Sequence, residues 1–214
     1  MNCCSQCDGI EDQFDDKTAR KDLKRYLRKG PAKSTRILLD ALREQGVEGM
    51  KLLDIGGGVG IIQHELIGDG IASISDVDGS SSYLAAARSE AEKRGYAEQV
   101  DYRHGNFVEI AEGLQTHDIV TLDKVICCFD DMQALVDRSS KLAGKFYAVV
   151  YPRDGLINRT VWAIVKFLLS FRKNGFQVFL HPSQTVNALI EKNGLKLKMW
   201  KAAGMWQIVV YTRP

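Results

Sequence analysis

The chain has 214 residues, of which 45% are hydrophobic and 26% are charged, and its formal net charge is +2. This length and balance are typical of one globular domain, or of one domain with a small lid, that buries a sizeable core. A net charge this small creates no large field that would attract nucleic acid, so we expect no nucleic-acid partner.

The membrane and secretory classes are also disfavoured. The most apolar stretch, Val161 to Phe171, is interrupted by Lys166 and is shorter than the roughly 20 apolar residues that span a bilayer. We therefore expect no stable membrane insertion. The N-terminus lacks the apolar run of a secretory signal, and the five cysteines form two tight clusters unlike a disulfide framework. These features predict a cytoplasmic protein, and the sequence carries no information on oligomeric state.

Two helical patterns open the chain. The first runs from about Ile10 to Lys29 and the second from about Ala32 to Gln45, with Gly30-Pro31 breaking the helix between them. Aspartates dilute the basic residues of the first helix and aromatic residues are few, which disfavours a nucleic-acid patch. We interpret residues 1–46 as an N-terminal segment and helical lid hinged at Gly30-Pro31, and residues 47–214 as the main domain.

From residue 50 onward, short strands alternate with helices. The strand-like runs are Lys51 to Ile55, Ser73 to Val77, Val100 to His104, Asp118 to Asp123 and Lys145 to Tyr151. The clearest helix between them runs from Ser80 to Arg94 and is rich in alanine, arginine and glutamate. Such alternation implies right-handed crossovers and a parallel sheet with helices on both faces.

The C-terminal third has a different pattern. It begins with a strongly apolar helix from about Gly155 to Arg172, followed by an extended stretch from Phe176 to Leu180 and a helix over about 182–193. Two further strand-like runs, Leu195 to Lys201 and Trp206 to Tyr211, are typical of an antiparallel pair. We therefore predict an α/β fold with a seven-stranded, mostly parallel sheet and an antiparallel last strand.

A glycine-rich loop follows the first strand. The segment Asp54-Ile55-Gly56-Gly57-Gly58-Val59-Gly60 opens a helix, and its glycines permit a tight turn and let a ligand approach bare backbone. A dinucleotide-binding loop would place its third glycine at position 61, which is Ile61, and no Lys-Ser or Lys-Thr pair makes a phosphate-binding loop. The alternative is a tight turn that binds no ligand.

Residues suited to one ligand stand at four consecutive strand ends. Asp54 would repel a pyrophosphate but suits an ammonium group. Asp78-Gly79 ends the second strand, where a carboxylate can accept hydrogen bonds from both ribose hydroxyls. Asn106 can hydrogen-bond an adenine and the ring of Phe107 can pack against it. Asp123 ends the fourth strand, and its alternative role is to cap the following helix. S-adenosylmethionine carries an amino group, a sulfonium and an adenosine without phosphate, so we predict it as the cofactor. The predicted cofactor contacts are Asp54, Gly56, Gly57, Gly58, Asp78, Gly79, Asn106, Phe107 and Asp123.

With these residues the chain resembles the class I (Rossmann-like) S-adenosylmethionine-dependent methyltransferases. The D-x-G-x-G-x-G loop of that family matches residues 54–60, and its acidic end of strand two matches Asp78. Asn106 stands where the family usually has aspartate. The resemblance spans about residues 50–212, and it implies that residues 47–214 form a methyltransferase domain with a Rossmann-like sheet.

The later half has a narrower resemblance, to the magnesium-protoporphyrin methyltransferases, which esterify a porphyrin propionate. It rests on residues 121–126, the Tyr151-Pro152-Arg153 turn with the helix after it, and Phe179-Leu180-His181. Cys127-Cys128 departs from the histidine and tyrosine of that group. We name two candidate catalytic residues: His181 as a general base, and Arg153 as a partner for an acceptor carboxylate. The alternative for His181 is that its ring caps a strand-to-helix turn, and the alternative for Arg153 is that it belongs to a solvent-exposed basic helix face.

The acceptor is the least determined part of the interpretation. No Asp-Pro-Pro-Tyr type signature follows the fourth strand, which disfavours methylation of amides or nucleobase amines. We predict O-methylation of a small or medium hydrophobic molecule. Two alternatives stay open: a thiol or metalloid methyltransferase that uses Cys127 and Cys128, and a non-catalytic protein that binds S-adenosylmethionine. The two cysteines can also be small buried apolar residues. We predict no metal site, because Cys4 and Cys7 lack a second, regularly spaced pair.

Overall fold

The structure is a computed structural model and describes residues 5–170 and 176–214. The strands are β1 (Lys51–Ile55), β2 (Ser73–Asp78), β3 (Val100–His104), β4 (His117–Asp123), β5 (Ala143–Pro152), β6 (Lys196–Ala203) and β7 (Trp206–Thr212). Within the described residues they form one seven-stranded sheet in the order β3-β2-β1-β4-β5-β7-β6. β7 runs antiparallel to β5 and β6, and the other neighbours pair in parallel. The predicted α/β sheet with an antiparallel last strand is confirmed.

Helices cover both faces of the sheet. They are α1 (Ser5–Gln13), α2 (Asp16–Lys29), α3 (Lys33–Arg43), α4 (Ile61–Leu66), α5 (Ser81–Lys93), α6 (Phe107–Ile110), α7 (Met132–Lys141), α8 (Leu156–Ser170) and α9 (Ser183–Lys192). Side chains of a strand point alternately to its two faces. Leu53 of β1 accordingly packs in one core with α6, α7 and α9, whereas Leu52 packs in a second core with α3, α4 and α5.

The predicted single helix over 10–29 is wrong, because the chain forms two helices there. α1 ends at Gln13, and Asp15 adopts an extended backbone and caps α2, accepting a 2.8 Å hydrogen bond from the backbone N–H of Thr18. An N-terminal cap satisfies a helix donor that has no partner inside the helix, so the aspartate favours a new start over continuation. Gly30 ends α2 with φ +70°, a left-handed value that suits glycine.

The segment predicted as a lid divides into two structural roles. α3 packs into the core, where Leu38, Leu39 and Leu42 are fully buried. α1 and α2 instead contribute residues to the wall of the cavity described below, and α2 also packs on α5.

The C-terminal third follows its predicted order of elements. α8 covers the described part of the predicted 155–172 helix, and residues 171–172 lie outside the described residues. The stretch 176–180 is not a strand of the sheet; the N–H of Phe179 donates to the carbonyl of Cys127 at 2.8 Å. Among the described helices, none is long and apolar enough to cross a bilayer.

Candidate active site

The carboxyl ends of β1, β2, β3 and β4 meet at one edge of the sheet, beside the point where the strand order reverses between β1 and β4. Open parallel sheets bind ligands in this crevice. Here it is a cavity of about 780 Å³. All nine predicted cofactor contacts line it: Asp54, Gly56, Gly57, Gly58, Asp78, Gly79, Asn106, Phe107 and Asp123.

The glycine loop presents bare backbone to this cavity. Gly56 and Gly58 have φ values of +63° and +60°, which side-chain-bearing residues rarely adopt. A Cβ on Gly56 would lie 2.5 Å from Cγ2 of Val125, and one on Gly57 would lie 2.6 Å from Oδ1 of Asp76. Any side chain at these two positions would therefore collide with the walls of the loop.

Two buried carboxyl groups support the loop from below. Asp54 and Asp76 are register partners on β1 and β2, and both are fully buried. Asp54 accepts hydrogen bonds from Oγ1 of Thr121 at 2.7 Å and from Nε2 of Gln63 at 3.4 Å. Burial, reinforced by the neighbouring Asp123 and Asp78, raises the pKa of Asp54 to about 7. Asp54 thus lines the cavity and also packs directly under Gly57 of the loop.

Asp78 joins the end of β2 to the glycine loop. Its Oδ2 accepts the backbone N–H of Gly58 at 2.9 Å, and its Oδ1 accepts that of Ser80 at 2.8 Å. Burial raises the pKa of Asp78 to about 6. Each carboxylate oxygen has two acceptor positions, so both oxygens keep capacity for a further hydroxyl donor. The geometry therefore fits the two ribose hydroxyls of an adenosyl cofactor.

Asn106 and Phe107 begin α6 at the end of β3. Oδ1 of Asn106 caps α6 by accepting the N–H of Val108 at 3.0 Å, and Nδ2 donates to Oε1 of Glu109 at 3.3 Å. Phe107 is almost fully buried, with one part of its surface in the cavity. Both residues are at the cavity, and their contact with an adenine remains a prediction.

Asp123 at the end of β4 is held by two neighbours. Its Oδ2 accepts from Oγ1 of Thr35 on α3 at 2.5 Å, and its Oδ1 pairs with Nζ of Lys124 at 2.7 Å. It does not cap α7, which is capped by Asp131. Lys124 has φ +67° and is, within the described residues, the sole residue other than glycine with a positive φ. Such backbone strain persists where surrounding structure imposes it, and it is frequent at active sites.

α1 and Phe14, which belong to the predicted lid, form part of the cavity wall. Oε2 of Glu11 accepts the N–H of Ser81 at 3.0 Å and lies 3.1 Å from Nε2 of His104. Oγ of Ser80 donates to the carbonyl of Phe14 at 2.7 Å. Sequence reasoning missed Glu11 and Phe14 as site residues, because nothing local links them to strand ends some 70 residues away.

One end of the cavity is apolar and aromatic, and Phe14 reaches it, with its ring centroid 5.4 Å from that of Phe176. Trp162 of α8 and Trp206 of β7 meet edge to face, with ring centroids 6.4 Å apart. They line the cavity together with Phe176, Val178, Cys127 and Cys128. The sulfur atoms of the two cysteines lie 3.8 Å apart, and the hydrogen bond with Cys128 together with burial raises the pKa of Cys127. These residues form the aromatic end of the cavity. The sequence signal for it was the apolar helix after β5, although neither tryptophan was singled out.

The two candidate catalytic residues lie away from the cavity wall. Nε2 of His181 donates to the carbonyl of Phe129 at 3.1 Å, and its ring faces a separate shallow depression. Burial lowers the pKa of His181, which favours the neutral ring. Arg153 is exposed, and its guanidinium stacks on Trp200 at 5.8 Å from the ring centroid. Catalytic roles for both residues stay sequence-based predictions.

Comparison with known proteins finds one family match and several structures of similar fold. Residues 53–144 match the model of a family described as a methyltransferase domain. A sequence search of curated proteins gives no match. The magnesium protoporphyrin IX methyltransferase of Synechocystis with bound S-adenosylmethionine superposes with a TM-score of 0.71 at 13% identity, over 100% of both chains. The same enzyme with bound S-adenosylhomocysteine gives 0.68 at 15% identity, over 85% of this chain and 82% of that one.

Two further structures have the same fold. A chain in the complex of the Haloferax volcanii Trm112 methyltransferase activator with a methyltransferase has a TM-score of 0.73 at 13% identity, covering 96% of this chain and 97% of that one. An O-methyltransferase family protein from Burkholderia thailandensis gives 0.72 at 16% identity, over 95% of this chain and 62% of that one. Identities this low show the fold alone. Residues 53–144 thus match a methyltransferase domain, and the chain as a whole has the class I (Rossmann-like) methyltransferase fold that the Synechocystis structure shows with bound S-adenosylmethionine.

Proposed function

We propose that the chain methylates an oxygen atom of a small or medium-sized hydrophobic molecule. One observation carries this proposal: the cavity runs without a break from the glycine loop and Asp78 to the aromatic end at Trp162, Phe176 and Trp206. A polar, carboxylate-bearing end suits the cofactor, and an aromatic end suits a hydrophobic acceptor.

The residues of the chain bind and orient the two molecules and exclude water. When bound, S-adenosylmethionine supplies an electrophilic methyl group on a sulfonium. Asp78 would accept the ribose hydroxyls and the loop over 56–58 would hold the amino acid portion, while Phe14 and Trp162 form part of the cavity wall. Alignment of two reactants and removal of water account for most of what such a displacement needs. A carboxylate acceptor needs no general base, whereas a phenol has to lose a proton.

The name of one structural relative, and the substrate named for another, support this acceptor class. The Synechocystis protein is named as a magnesium protoporphyrin IX methyltransferase, and the Burkholderia protein as a member of an O-methyltransferase family. The sequence resemblance over 121–126 and 151–153 points the same way. We extend to this chain only the general acceptor class: a hydrophobic, oxygen-bearing small molecule.

A thiol or metalloid acceptor is a second candidate, favoured by one observation. Cys127 and Cys128 both line the cavity, with sulfur atoms 3.8 Å apart. Two thiols at this spacing suit a soft ligand. The raised pKa of Cys127, however, disfavours the thiolate that binds such a ligand.

Methylation of a mixed acceptor panel tests these proposals. The purified chain, methyl-labelled S-adenosylmethionine and a panel of hydrophobic acids, phenols, amines and thiols are analysed by mass spectrometry. We expect label on the oxygen of an acid or phenol. Phe176→Ala should raise the acceptor KM, whereas the matched control Phe167→Ala, at a site 62% exposed on α8, should not. Cofactor binding without turnover on any acceptor would contradict the proposal and favour a non-catalytic binding protein.

A further inference from the structure

The outer face of α8 exposes large apolar side chains. Phe167 is 62% exposed and Ile164 is 55% exposed, the two highest values among the large apolar residues that the structure describes. Ala163 is exposed as well. Residues three and four positions apart lie on one side of a helix, so Ala163, Ile164 and Phe167 form one apolar stripe, the outer stripe of α8.

The opposite face of the same helix belongs to the cavity. Trp162, Val165 and Leu169 pack with Phe176 and Val178 in one apolar cluster, and Trp162 lines the cavity. The fold therefore buries one apolar face of α8 and leaves the outer stripe in water. Exposure of adjacent large apolar side chains costs free energy, which indicates that a partner covers the stripe.

The charge around the stripe indicates the kind of partner. The whole chain has 29 basic and 27 acidic residues, but residues 155–190 include no acidic residue and the basic residues Arg159, Lys166, Arg172 and Lys173. Arg159 and Lys166 are exposed on α8, four positions before and three positions after Ala163, so both flank the stripe. An apolar helix face with basic flanks is typical of helices that lie in the interface of an anionic membrane.

The stripe is too small for a stable interface with a second copy of the chain. Ile164 and Phe167 together expose on the order of 200 Å² of apolar surface, whereas a stable complex buries about 800 Å² from each partner. Two copies of this face would also bring like charges together. A lipid surface needs no complementary protein surface, because each apolar side chain that enters it contributes separately.

We propose that the outer stripe of α8 docks on an anionic lipid surface, with Arg159 and Lys166 beside the lipid headgroups. The helix lies in the membrane interface and does not cross the bilayer. This contact goes beyond the proposed function, but its consequence rests on that function. Because Trp162 on the other face of α8 lines the cavity, docking brings the acceptor site close to the lipid in which a hydrophobic acceptor dissolves.

Vesicle sedimentation tests the docking without cofactor or acceptor. The full chain is mixed with vesicles of phosphatidylcholine alone, or of phosphatidylcholine with about one-third phosphatidylglycerol. We expect binding to the anionic vesicles to be at least about fivefold stronger, and the difference to disappear at high salt. The stripe variant, Ile164→Ser with Phe167→Ser, should bind the anionic vesicles at least about tenfold more weakly, and Lys166→Gln roughly three- to fivefold more weakly.

Matched controls change the same chemistry on other surfaces. Leu197 is 52% exposed on β6 and pairs with Tyr211, whereas the cavity residue Trp206 pairs with Ala203 at the other end of the strand. Lys21 is exposed on α2. Leu197→Ser and Lys21→Gln should each bind the anionic vesicles within about a factor of two of wild type, because charges more than a Debye length from the lipid are screened.

The possible outcomes separate the docking from its alternatives. Failure of wild type to bind the anionic vesicles, equal binding to both kinds of vesicle, or wild-type binding by the stripe variant would each overturn the docking. A wild-type dimer in light scattering that the stripe variant converts to a monomer would assign the stripe to a second copy and would also overturn it. If the stripe variant is unfolded by circular dichroism, Lys166→Gln decides. Methyl transfer to acceptors in solution is measured separately, so its absence would contradict the proposed function and leave the vesicle result unaffected.

Discussion

The Oδ2 atom of Asp78 accepts a hydrogen bond from the backbone N–H of Gly58 at 2.9 Å, and this contact ties the end of β2 to the loop that follows β1. The two elements that carry the cofactor-binding pattern in the sequence are thereby one structural unit. A change at either residue should alter the cofactor site from both sides.

Loss of the Asp78 carboxylate should weaken cofactor binding. We expect Asp78→Ala to reduce the affinity for S-adenosylmethionine by roughly 1–3 kcal/mol, the range for losing hydrogen bonds to a charged group. Calorimetry measures this, with Asp101→Ala, an exposed position on β3, as the matched control. Near-normal affinity in Asp78→Ala would mean that the pocket is wrongly placed.

A side chain at Gly56 should obstruct the loop. Its Cβ would lie 2.5 Å from Val125, and the residue has φ +63°, so Gly56→Val should abolish measurable cofactor binding and destabilise the fold. Gly68→Val is the control, because a Cβ at position 68 meets nothing within 4 Å. Equal cofactor affinity in the two variants would contradict the role of the loop.

The buried carboxyls should make stability depend on pH. Burial raises the pKa of Asp54 to about 7 and that of Asp76 in the same direction, whereas an unfolded aspartate titrates near about 3.9. The stability that these groups contribute is therefore fully present below roughly pH 4 and is lost as the pH rises through about 7. Burial lowers the pKa of His64 to about 4, so the contribution of His64 to stability rises with pH instead of falling. The two effects oppose each other in the wild-type protein, and a variant that lacks one of the aspartates is needed to separate them.

Asp76→Asn removes one of these titrations while keeping the side-chain shape. We compare the free energy of unfolding of the variant with that of wild type at pH 5 and at pH 7.5. The difference, variant minus wild type, should increase by at least about 1 kcal/mol over this range, the equivalent of less than one pKa unit. Urea denaturation of the cofactor-free chain measures the difference. A constant difference across this range would show that Asp76 does not titrate there.

Loosening the lid should speed cofactor release. Glu11→Ala removes the contacts with Ser81 and His104, which join α1 to the ribose end of the cavity. Exposed ion pairs contribute up to about 1 kcal/mol, so we expect dissociation of S-adenosylhomocysteine to be roughly two- to fivefold faster by stopped flow. Glu112→Ala, which breaks an exposed pair with Arg138 that does not involve α1, should leave the rate unchanged. Identical rates in the two variants would argue against α1 as a lid.

The double variant Cys127→Ser, Cys128→Ser separates oxygen acceptors from thiophilic ones. Because Cys127 is a buried thiol with a raised pKa, we expect methylation of the oxygen acceptor to stay within a few-fold of wild type. Activity is measured on the best acceptor of the panel, with protein stability recorded alongside. Complete loss of methyl transfer in a variant that remains folded would support the thiol or metalloid hypothesis.

The sequence by itself determined the sheet and the cofactor end of the cavity. Alternating strands and helices specify parallel neighbours, and parallel strands bring their carboxyl ends to one edge. Residues placed just after strands, such as Asp54, Asp78 and Asn106, are therefore brought together by a rule that needs no knowledge of side-chain packing. The fold and the cofactor were predictable for this reason.

Only the tertiary structure decided which residues of the N-terminal segment reach the cavity and how its aromatic end is formed. Glu11, Trp162 and Trp206 come from elements far apart in the chain, and their convergence depends on how helices pack over the sheet. The same packing placed His181 and Arg153 away from the cavity, although both stand near strand ends in the sequence. Local sequence patterns determine which helices and strands form. The size and lining of the cavity depend on contacts between distant helices and loops, and those contacts require the burial and close packing of many side chains.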